Sequence, residues 1–477
     1  MKHMFEMRIN RKNFMICMCI FVVLFICTLF HEIPFFSYVS LAAFVLFLYT
    51  MFTRMTHFMV TYFVFVFLSS GLIVGCALCE FRDAYLPEFG AWGHFVGSLP
   101  LLILLYVLLF LAIAFFDGIN ENRLKNTQNT VIQKNHYPAV CHYVSVLCSM
   151  IMLFLFLRII RNPAFLMGYS RGEYAEQFGN RSGIFGSLDK SMYIFLAFAL
   201  LDYMNGYKRT GKIGIASYFL YYLWSGHKFG TFFNFAVIFI FVFHDRLLKI
   251  EKKRLTKFIR TAFVAIFLLL GLTSLLAVNM SSKAINWGTM LDFLLMRISS
   301  QGGIWYKTFE ITDQTHLNEI DDEIQGMIER PAHPENYIKY GMYKMMCLCV
   351  EHKNKVKFIN KAIETGYVFT EAACASSYYY LGTAGGIIFI IFHAFAISLT
   401  FNLLFASLRR NKVVRIILLL RMYNILRFSL FSLEYVSAYF NLLSIIGYAI
   451  IIVGFWQDHA ANRKSFQHAE AYRNSLA

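Results

Sequence analysis

Long apolar runs recur from one end of this chain to the other, and they restrict its fold more than any other feature. Residues 58–78 and 97–116, for example, contain no charged side chain. Helical runs of about 18 residues or more can cross the hydrocarbon core of a bilayer. Because lipid offers the backbone no hydrogen bonds, only helices and closed barrels can span it, and a run such as "FVVLFIC" lacks the alternation of a barrel strand. The sequence therefore predicts an all-α, polytopic membrane protein.

The apolar runs predict about twelve transmembrane helices. Only 15% of the 477 residues are charged, against roughly 25% in soluble chains. One long polar segment divides the chain into nine spans (1–279), a large loop with helical periodicity (280–378), and three further spans with a tail (379–477). Within the loop, residues 340–363 have the pattern of one amphipathic helix. The predicted spans are approximately 14–32, 35–53, 58–78, 97–116, 139–160, 190–206, 213–225, 229–245, 259–279, 379–406, 413–432 and 436–456.

The distribution of Lys and Arg among the short connections predicts the orientation of the chain. Basic residues concentrate in connections such as "YKRTGK", "DRLLKIEKKRLTK" and "SLRRNKVVR", on the same side as both termini. The positive-inside rule assigns this side to the cytoplasm, and the 280–378 loop is left out of the count because long loops translocate regardless of charge. We therefore expect both termini in the cytoplasm. The 161–189 loop, the turn at 226–228 and the 280–378 loop share the outer face.

The high net positive charge of the chain is better explained by binding to a membrane surface than by binding to nucleic acid. The formal net charge is +16, and basic connections together with attraction to anionic headgroups explain much of it. The sequence has no nucleic-acid-binding motif. We expect the lipid bilayer, and no nucleic acid, to be a partner of the chain.

The long loop offers few residues for redox or metal chemistry. Cys374 could form a disulfide with Cys347 or Cys349, which the sequence leaves open. The acidic run "IDDE" at 320–323 resembles a metal-binding pair but is more typical of a solvated helix face. His316 and His333 lack metal-ligand spacing, so we expect neither a metal nor a cofactor.

Three polar outer segments contain the charged residues that are candidates for a functional site. They are Arg171, Arg181, His227, Lys228 and Arg297. Each has a structural alternative: Arg171 and Arg181 can pair with Glu173 and Glu176, the two residues of the turn can snorkel at the membrane interface, and Arg297 can be solvated. A loop of this length is nevertheless too long for a passive connector and is typical of a functional segment.

The eleventh predicted span carries arginines at unusual depth. Arg415 lies at its cytoplasmic end and is expected to be an anchor, whereas Arg421 and Arg427 lie deeper. A charge at such depth costs several kcal/mol by insertion scales and usually faces a cavity or a partner. Six residues correspond to about 9 Å of rise and roughly 240° of rotation, so Arg421 and Arg427 are not expected to share one helix face. The alternative is that this span is short or interfacial.

Three short patterns, in order along the chain, resemble the O-antigen polymerase (Wzy) and O-antigen ligase superfamily. "SGHKFGTFF" resembles its Gly-Ser-Arg-type turn with Lys228 in place of the arginine, "MRISSQGGIWY" resembles the start of its large periplasmic loop with Arg297, and "LGTAGGIIF" resembles its Gly-x-x-Gly entry to the next span. The resemblance implies a GT-C-like fold in the bacterial inner membrane. It also implies glycosyl transfer at the periplasmic face.

The resemblance further implies substrates and residue roles. The donor is a glycan on undecaprenyl diphosphate, whose leaving diphosphate needs fixed cations, and the acceptor hydroxyl needs orientation and a base. Lys228 and Arg297 are the implied catalytic cations. Arg171, Arg181, His227, Arg421 and Arg427 are candidates for substrate binding.

One departure from the pattern favours a polymerase over a ligase. Ligases carry a histidine ahead of the Gly-x-x-Gly entry, and Glu371 takes its place here, which makes Glu371 a candidate base. We therefore expect polymerisation of lipid-linked repeat units, with a Wzz-type chain-length-determining protein as a further partner. The alternatives are a ligase that transfers glycan to lipid A-core, and a non-enzymatic polysaccharide flippase, which lacks a hundred-residue outer loop.

Overall fold

The computed structural model is mostly helical. It describes residues 11–83, 85–128, 137–164, 174, 177–178, 183–225, 229–251, 253–257, 261, 287–328, 341–365, 373–430 and 438–457. The helices are α1 (Arg11–Leu29), α2 (Pro34–Arg54), α3 (Thr56–Thr61), α4 (Phe63–Phe81), α5 (Leu99–Gln128), α6 (Ala139–Ile159), α7 (Gly183–Lys190), α8 (Met192–Met204), α9 (Lys208–Trp224), α10 (Phe229–Leu247), α11 (Trp287–Ile311), α12 (Ile320–Ile328), α13 (Gly341–Cys349), α14 (Lys355–Thr365), α15 (Ala373–Arg409), α16 (Val413–Ser429) and α17 (Leu442–Gln457). A 3₁₀ turn (Leu317–Glu319) precedes α12, and β1 (Tyr85–Leu86) and β2 (Ala91–Trp92) form a small hairpin.

Six of the described helices are long and apolar enough to cross a membrane, namely α1, α2, α4, α5, α6 and α15. A seventh span results if α7 and α8, which meet at an angle of 50°, are counted together. The predicted class of a multi-pass helical protein agrees with these helices. The predicted ninth span at 259–279 lies almost entirely outside the described residues, and α9 and α16 have only 17 residues each. The count of about twelve spans and the division at residues 279 and 378 stay predictions.

The helices pack in two groups that meet through α16 and through α10, which also packs against α3 and α15. α1, α2, α4, α5, α11 and α15 form one group, and α6, α8, α9 and α10 form the other. α16 packs against α15 in the first group and against α8 in the second. This arrangement places the side chains of α16 where the two groups meet.

The connections define two ends of the bundle. At the hairpin end, which we define by the β1–β2 hairpin, the turn between α1 and α2 meets the segment before α5, where Gly97 lies against His31. At the opposite end, Arg409 at the end of α15 binds Asp245 near the end of α10 through three contacts of 2.8–3.1 Å. Because α16 starts just after Arg409, it runs from the opposite end toward the hairpin end.

α11, from the start of the predicted loop, packs directly on α4. A Cβ added to Gly75 would come within 2.5 Å of both the Gly302 nitrogen and the Ile298 carbonyl oxygen. The two helix backbones therefore touch where both have glycine, as small residues allow in membrane bundles. Gly71, one turn earlier on α4, has no neighbour within 4 Å of such a Cβ.

The predicted amphipathic helix over residues 340–363 is interrupted. The chain instead forms α13 and α14, separated by residues 350–354. In the gap, the Glu351 N–H donates to the Phe89 carbonyl oxygen at 2.7 Å, and the His352 ring lies 3.0 Å from the Pro87 carbonyl oxygen. Hydrogen bonds to the hairpin thus replace those that would have continued the helix.

Candidate functional site

The Arg427 side chain lies half-buried between α16 and the second helix group. Its Nη1 donates a hydrogen bond to Asn234 Oδ1 on α10 at 2.6 Å. Its guanidinium lies 4.4 Å from the centre of the Phe428 ring. The Tyr423 side chain, one turn earlier on α16, points at the same guanidinium, and Tyr218 on α9 is close enough to interact with it electrostatically. These neighbours are polar or aromatic, and all are uncharged.

Arg421 and Arg427 meet at a common neighbour. Tyr193, on the first turn of α8, interacts electrostatically with both guanidinium groups. Although six residues separate the arginines on α16, both guanidinium groups are close enough to Tyr193 to interact with it electrostatically. Arg421 also interacts with Tyr448 on α17. The structure therefore joins the two arginines into one cationic cluster, toward the hairpin end of the bundle.

A bend in the chain positions the aromatic side of this cluster. α7 and α8 meet at Ser191 at an angle of 50°. Tyr193 lies just after the bend and Asp189 just before it. Broken helices of this kind often line sites in membrane proteins.

Tyrosines on α9 connect the cationic cluster with the carboxylate of Asp189. Tyr218 interacts electrostatically with both Arg427 and Asp189. Tyr221, one turn from Tyr218 in sequence, hydrogen-bonds to the Asp189 side chain, and the Tyr222 hydroxyl donates to the Asp189 carbonyl oxygen at 3.3 Å. We call the residues Asp189, Tyr193, Tyr218, Asn234, Arg421 and Arg427 the arginine–tyrosine site.

The sequence predicted the two arginines of this site and missed the other members. Arg421 and Arg427 were found because a charge inside an apolar run is conspicuous. Asn234 gave a weaker signal, as a polar residue within the apolar run that follows Lys228. Tyr193, Tyr218 and Asp189 gave none, because only the packing of α7, α8 and α9 brings them to the arginines.

Five predicted site residues lie outside the described residues. They are Arg171, Arg181, His227, Lys228 and Glu371. The two helices that flank the turn holding His227 and Lys228 are described, and α10 contributes Asn234 to the site.

Arg297 lies on a helix that, within the described part of the chain, does not pack with the helices of the arginine–tyrosine site. It is exposed on α11, which packs against α4, α13 and α15. Its neighbour Ile298 takes part in the glycine contact with α4. The arginine–tyrosine site instead involves α8, α9, α10 and α16, so the described contacts assign Arg297 and Arg427 to different groups of helices.

Lys307 and Glu310 on α11 form a separate ionic cluster with neighbouring residues at the hairpin end. Buried Lys307 lies 2.7 Å from Glu310 and 2.6 Å from Glu351, and His94 lies 3.2 Å from Glu310. Burial alone would lower the pKa of Lys307, but its hydrogen bonds to the two carboxylates raise the pKa above its ordinary value. Lys307 is therefore a charged group that is already paired.

The acidic run at 320–323 is only partly solvated. Asp321 and Asp322 are exposed as expected, but Glu323 is buried. Its carboxylate accepts from the Gly341 N–H at 2.9 Å and from the Tyr380 hydroxyl at 2.7 Å. The expectation of a fully solvated face was wrong for Glu323, which links α12 to α13 and α15.

Comparison with known proteins gives a partial match of unknown function. A family model described as a family of unknown function (DUF6418) matches residues 335–452. The match includes α15 and α16, and hence Arg421 and Arg427, but neither Arg297 nor Lys228. No curated protein and no solved structure matches the chain.

Proposed function

We propose that this protein is a membrane glycosyltransferase of the bacterial inner membrane. It polymerises oligosaccharide repeat units carried on undecaprenyl diphosphate into O-antigen or a related surface polysaccharide, at the periplasmic face. The donor and the acceptor are both lipid-linked glycans. A Wzz-type protein acts as the chain-length-determining partner.

The cluster of Arg421 and Arg427 is the observation that carries the proposal. A charge buried in a membrane bundle is costly unless it has a partner. Among the described residues, the direct neighbours of the two arginines, Asn234, Tyr193, Tyr218 and Tyr423, are neutral, which favours an anionic ligand. A lipid diphosphate supplies two adjacent anionic groups at this depth. This fit favours a substrate that carries a diphosphate.

The proposed chemistry uses these charges in the transition state. As the bond between the anomeric carbon and the diphosphate breaks, negative charge grows on the leaving oxygen. A guanidinium fixed nearby stabilises that charge and can bind two phosphate oxygens at once. Asn234 orients the Arg427 guanidinium through the 2.6 Å hydrogen bond. The tyrosine side chains offer surfaces and hydroxyls to the adjoining sugar.

The lipopolysaccharide pattern of a deletion strain tests this function. Loss of a polymerase leaves a single repeat unit on the core, and a plasmid copy of the wild-type gene restores the ladder of longer chains. Unsubstituted core would contradict the proposal, because it indicates loss of a ligase or a flippase.

A further inference from the structure

The bend between α7 and α8 brings a carboxylate into the arginine–tyrosine site. Asp189 precedes the bend at Ser191 and Tyr193 follows it, so one feature of the backbone positions both. Asp189 is partly buried, and its Oδ1 is shielded from solvent. The side chain therefore faces the bundle, at the same bend that presents Tyr193 to the arginines.

Asp189 is held in place from α9. The Tyr221 hydroxyl hydrogen-bonds to its carboxylate, and the Tyr222 hydroxyl donates to its carbonyl oxygen at 3.3 Å. Both tyrosines are buried. Contacts to the side chain and to the main chain together restrict where the carboxylate can move, as a proton acceptor in catalysis requires.

Tyr218 connects this carboxylate with the cationic side of the site. It is fully buried, and it interacts electrostatically with Asp189 and with Arg427. Tyr218 is thus close enough to both the carboxylate and the guanidinium to interact with each, and Arg158 interacts in the same way with Tyr221. In a glycosyl transfer, a base acts on the acceptor hydroxyl while cations act on the leaving group, so the two functions must lie on either side of the reacting carbon.

We propose that the Asp189 carboxylate is the proton acceptor for the attacking hydroxyl. This inference rests on the proposed function. The acceptor oxygen forms a bond to the anomeric carbon of the donor, the bond from that carbon to the diphosphate oxygen breaks, and its electron pair leaves with the diphosphate. The hydroxyl proton passes to Asp189 and from there to water. The products are the lengthened glycan and free undecaprenyl diphosphate.

A purely structural role for Asp189 predicts different behaviour on substitution. As an anchor for α7, Asp189 needs only to accept the hydrogen bond from Tyr221, and the amide oxygen of asparagine can do so. As a base, it needs the carboxylate itself. Asp189→Asn therefore separates the two roles, and Tyr221→Phe removes the hydrogen bond while the carboxylate stays.

The test measures chain elongation by purified protein with lipid-linked repeat units, across a range of pH. We expect Asp189→Asn to lower turnover at least about 100-fold, with donor binding within about threefold of wild type. Wild-type turnover should fall toward low pH as the carboxylate takes up a proton, and this fall should vanish from the residual turnover of Asp189→Asn. Tyr221→Phe should keep turnover within about tenfold, and exposed Asp321→Asn should match wild type.

Several outcomes would overturn the inference. One is near-normal turnover of Asp189→Asn with an unchanged pH profile. Another is that turnover still falls toward low pH in Asp189→Asn but no longer does so in Glu371→Gln. If Asp189→Asn does not fold, Asp189→Glu replaces it: the base role predicts that the low-pH fall is kept, and a flat profile contradicts it. An inactive wild-type protein would instead contradict the proposed function.

Discussion

Charged side chains inside this bundle occur in two kinds of surroundings. Asp245 is paired with Arg409, and Asp117 accepts hydrogen bonds from Tyr62, Ser398 and Asn402 at 2.7–3.0 Å. Both carboxylates link helices, but of these contacts only the one between Asp245 and Arg409 joins opposite charges. Among the described residues, the side chains that contact or interact with Arg421 and Arg427 are neutral, in contrast to the carboxylate that pairs with Arg409. The two arginines therefore differ from Arg409, which has a carboxylate partner.

Substitution of Arg427 tests this distinction. Arg427→Ala should lower the rate of polymerisation about 100-fold, or about 2.7 kcal/mol, because a preorganised cation at the leaving group is removed. Arg427→Lys should recover little if the guanidinium binds two phosphate oxygens. The measurement is the rate of elongation with protein level controlled. Arg254→Ala is the matched control, since Arg254 is 82% exposed and pairs only weakly with Glu251 at 3.8 Å. Equal rates for Arg427→Ala and Arg254→Ala would refute the role.

Glu319 and Lys344 give a pH dependence to stability at the hairpin end. The hydrogen bond from Lys344 at 2.7 Å holds the pKa of Glu319 below its ordinary value of 4.5. The pair therefore stabilises the folded state fully above that value, and the contribution is lost as the pH falls through the lowered pKa. Because the Glu319 side chain is 31% exposed, we expect at most about 1 kcal/mol.

The thermal unfolding midpoints of wild type and Glu319→Gln measure this contribution. The variant should melt at a lower temperature near neutral pH. The difference should shrink as the pH falls below 4.5 and through the lowered pKa of Glu319, because the carboxylate then takes up a proton and is uncharged like the glutamine. A difference that stays constant over this range would mean that Glu319 stabilises the fold through something other than its charge.

At the scale of elements, glycines determine how two of the helices pack. The contact between Gly75 and Gly302 lets the backbones of α4 and α11 touch. In α15, Gly382 has φ of 65° and ψ of −156°, a conformation that is essentially restricted to glycine. It separates the segment that carries Tyr380 from the long apolar part of the helix. The glycine contact thus packs α11 onto α4, and Gly382 allows the kink within α15.

Alanine substitutions on α4 should separate a packing role from helix propensity. Gly75→Ala should destabilise the protein by about 1–3 kcal/mol, because its Cβ would overlap the backbone of α11. Gly71→Ala, one turn away with open space around it, should be neutral or stabilise the helix by up to about 1 kcal/mol. Thermal unfolding in detergent gives both values. Equal effects of the two substitutions would mean that α4 and α11 do not touch at Gly75.

The sequence predicted the positions of helices better than the contacts between them. Apolar runs found α1, α2, α4, α6 and α15 to within several residues, because a span is a local property. They missed that α5 continues to Gln128 through a polar stretch, and they merged α13 and α14. The break between α13 and α14 depends on tertiary hydrogen bonds of Glu351 and His352, and the periodicity of a sequence does not reveal such bonds. The same reason hid Asp189 and Tyr193, whose roles depend on packing between helices.

At the scale of the whole molecule, the two ends of the bundle should face different compartments. The hairpin end should lie outside the cytoplasm and the end with Asp245 and Arg409 inside it. Reporter fusions near residues 320 and 352 should give a periplasmic signal, and fusions near residues 128, 250 and 465 a cytoplasmic one. A cytoplasmic signal from residue 352 would contradict the proposed function, because the donor glycan is used on the outer face.

Reconstituted chain elongation shows whether this protein polymerises lipid-linked repeat units. Purified wild-type protein in a bilayer, supplied only with undecaprenyl-diphosphate-linked repeat units, should produce lipid-linked glycans that increase by whole repeats, with release of undecaprenyl diphosphate. No metal or cofactor is added beyond the buffer. Repeat units that stay single, but are transferred to added lipid A-core or moved intact across the bilayer, would contradict the account and identify a ligase or a flippase instead.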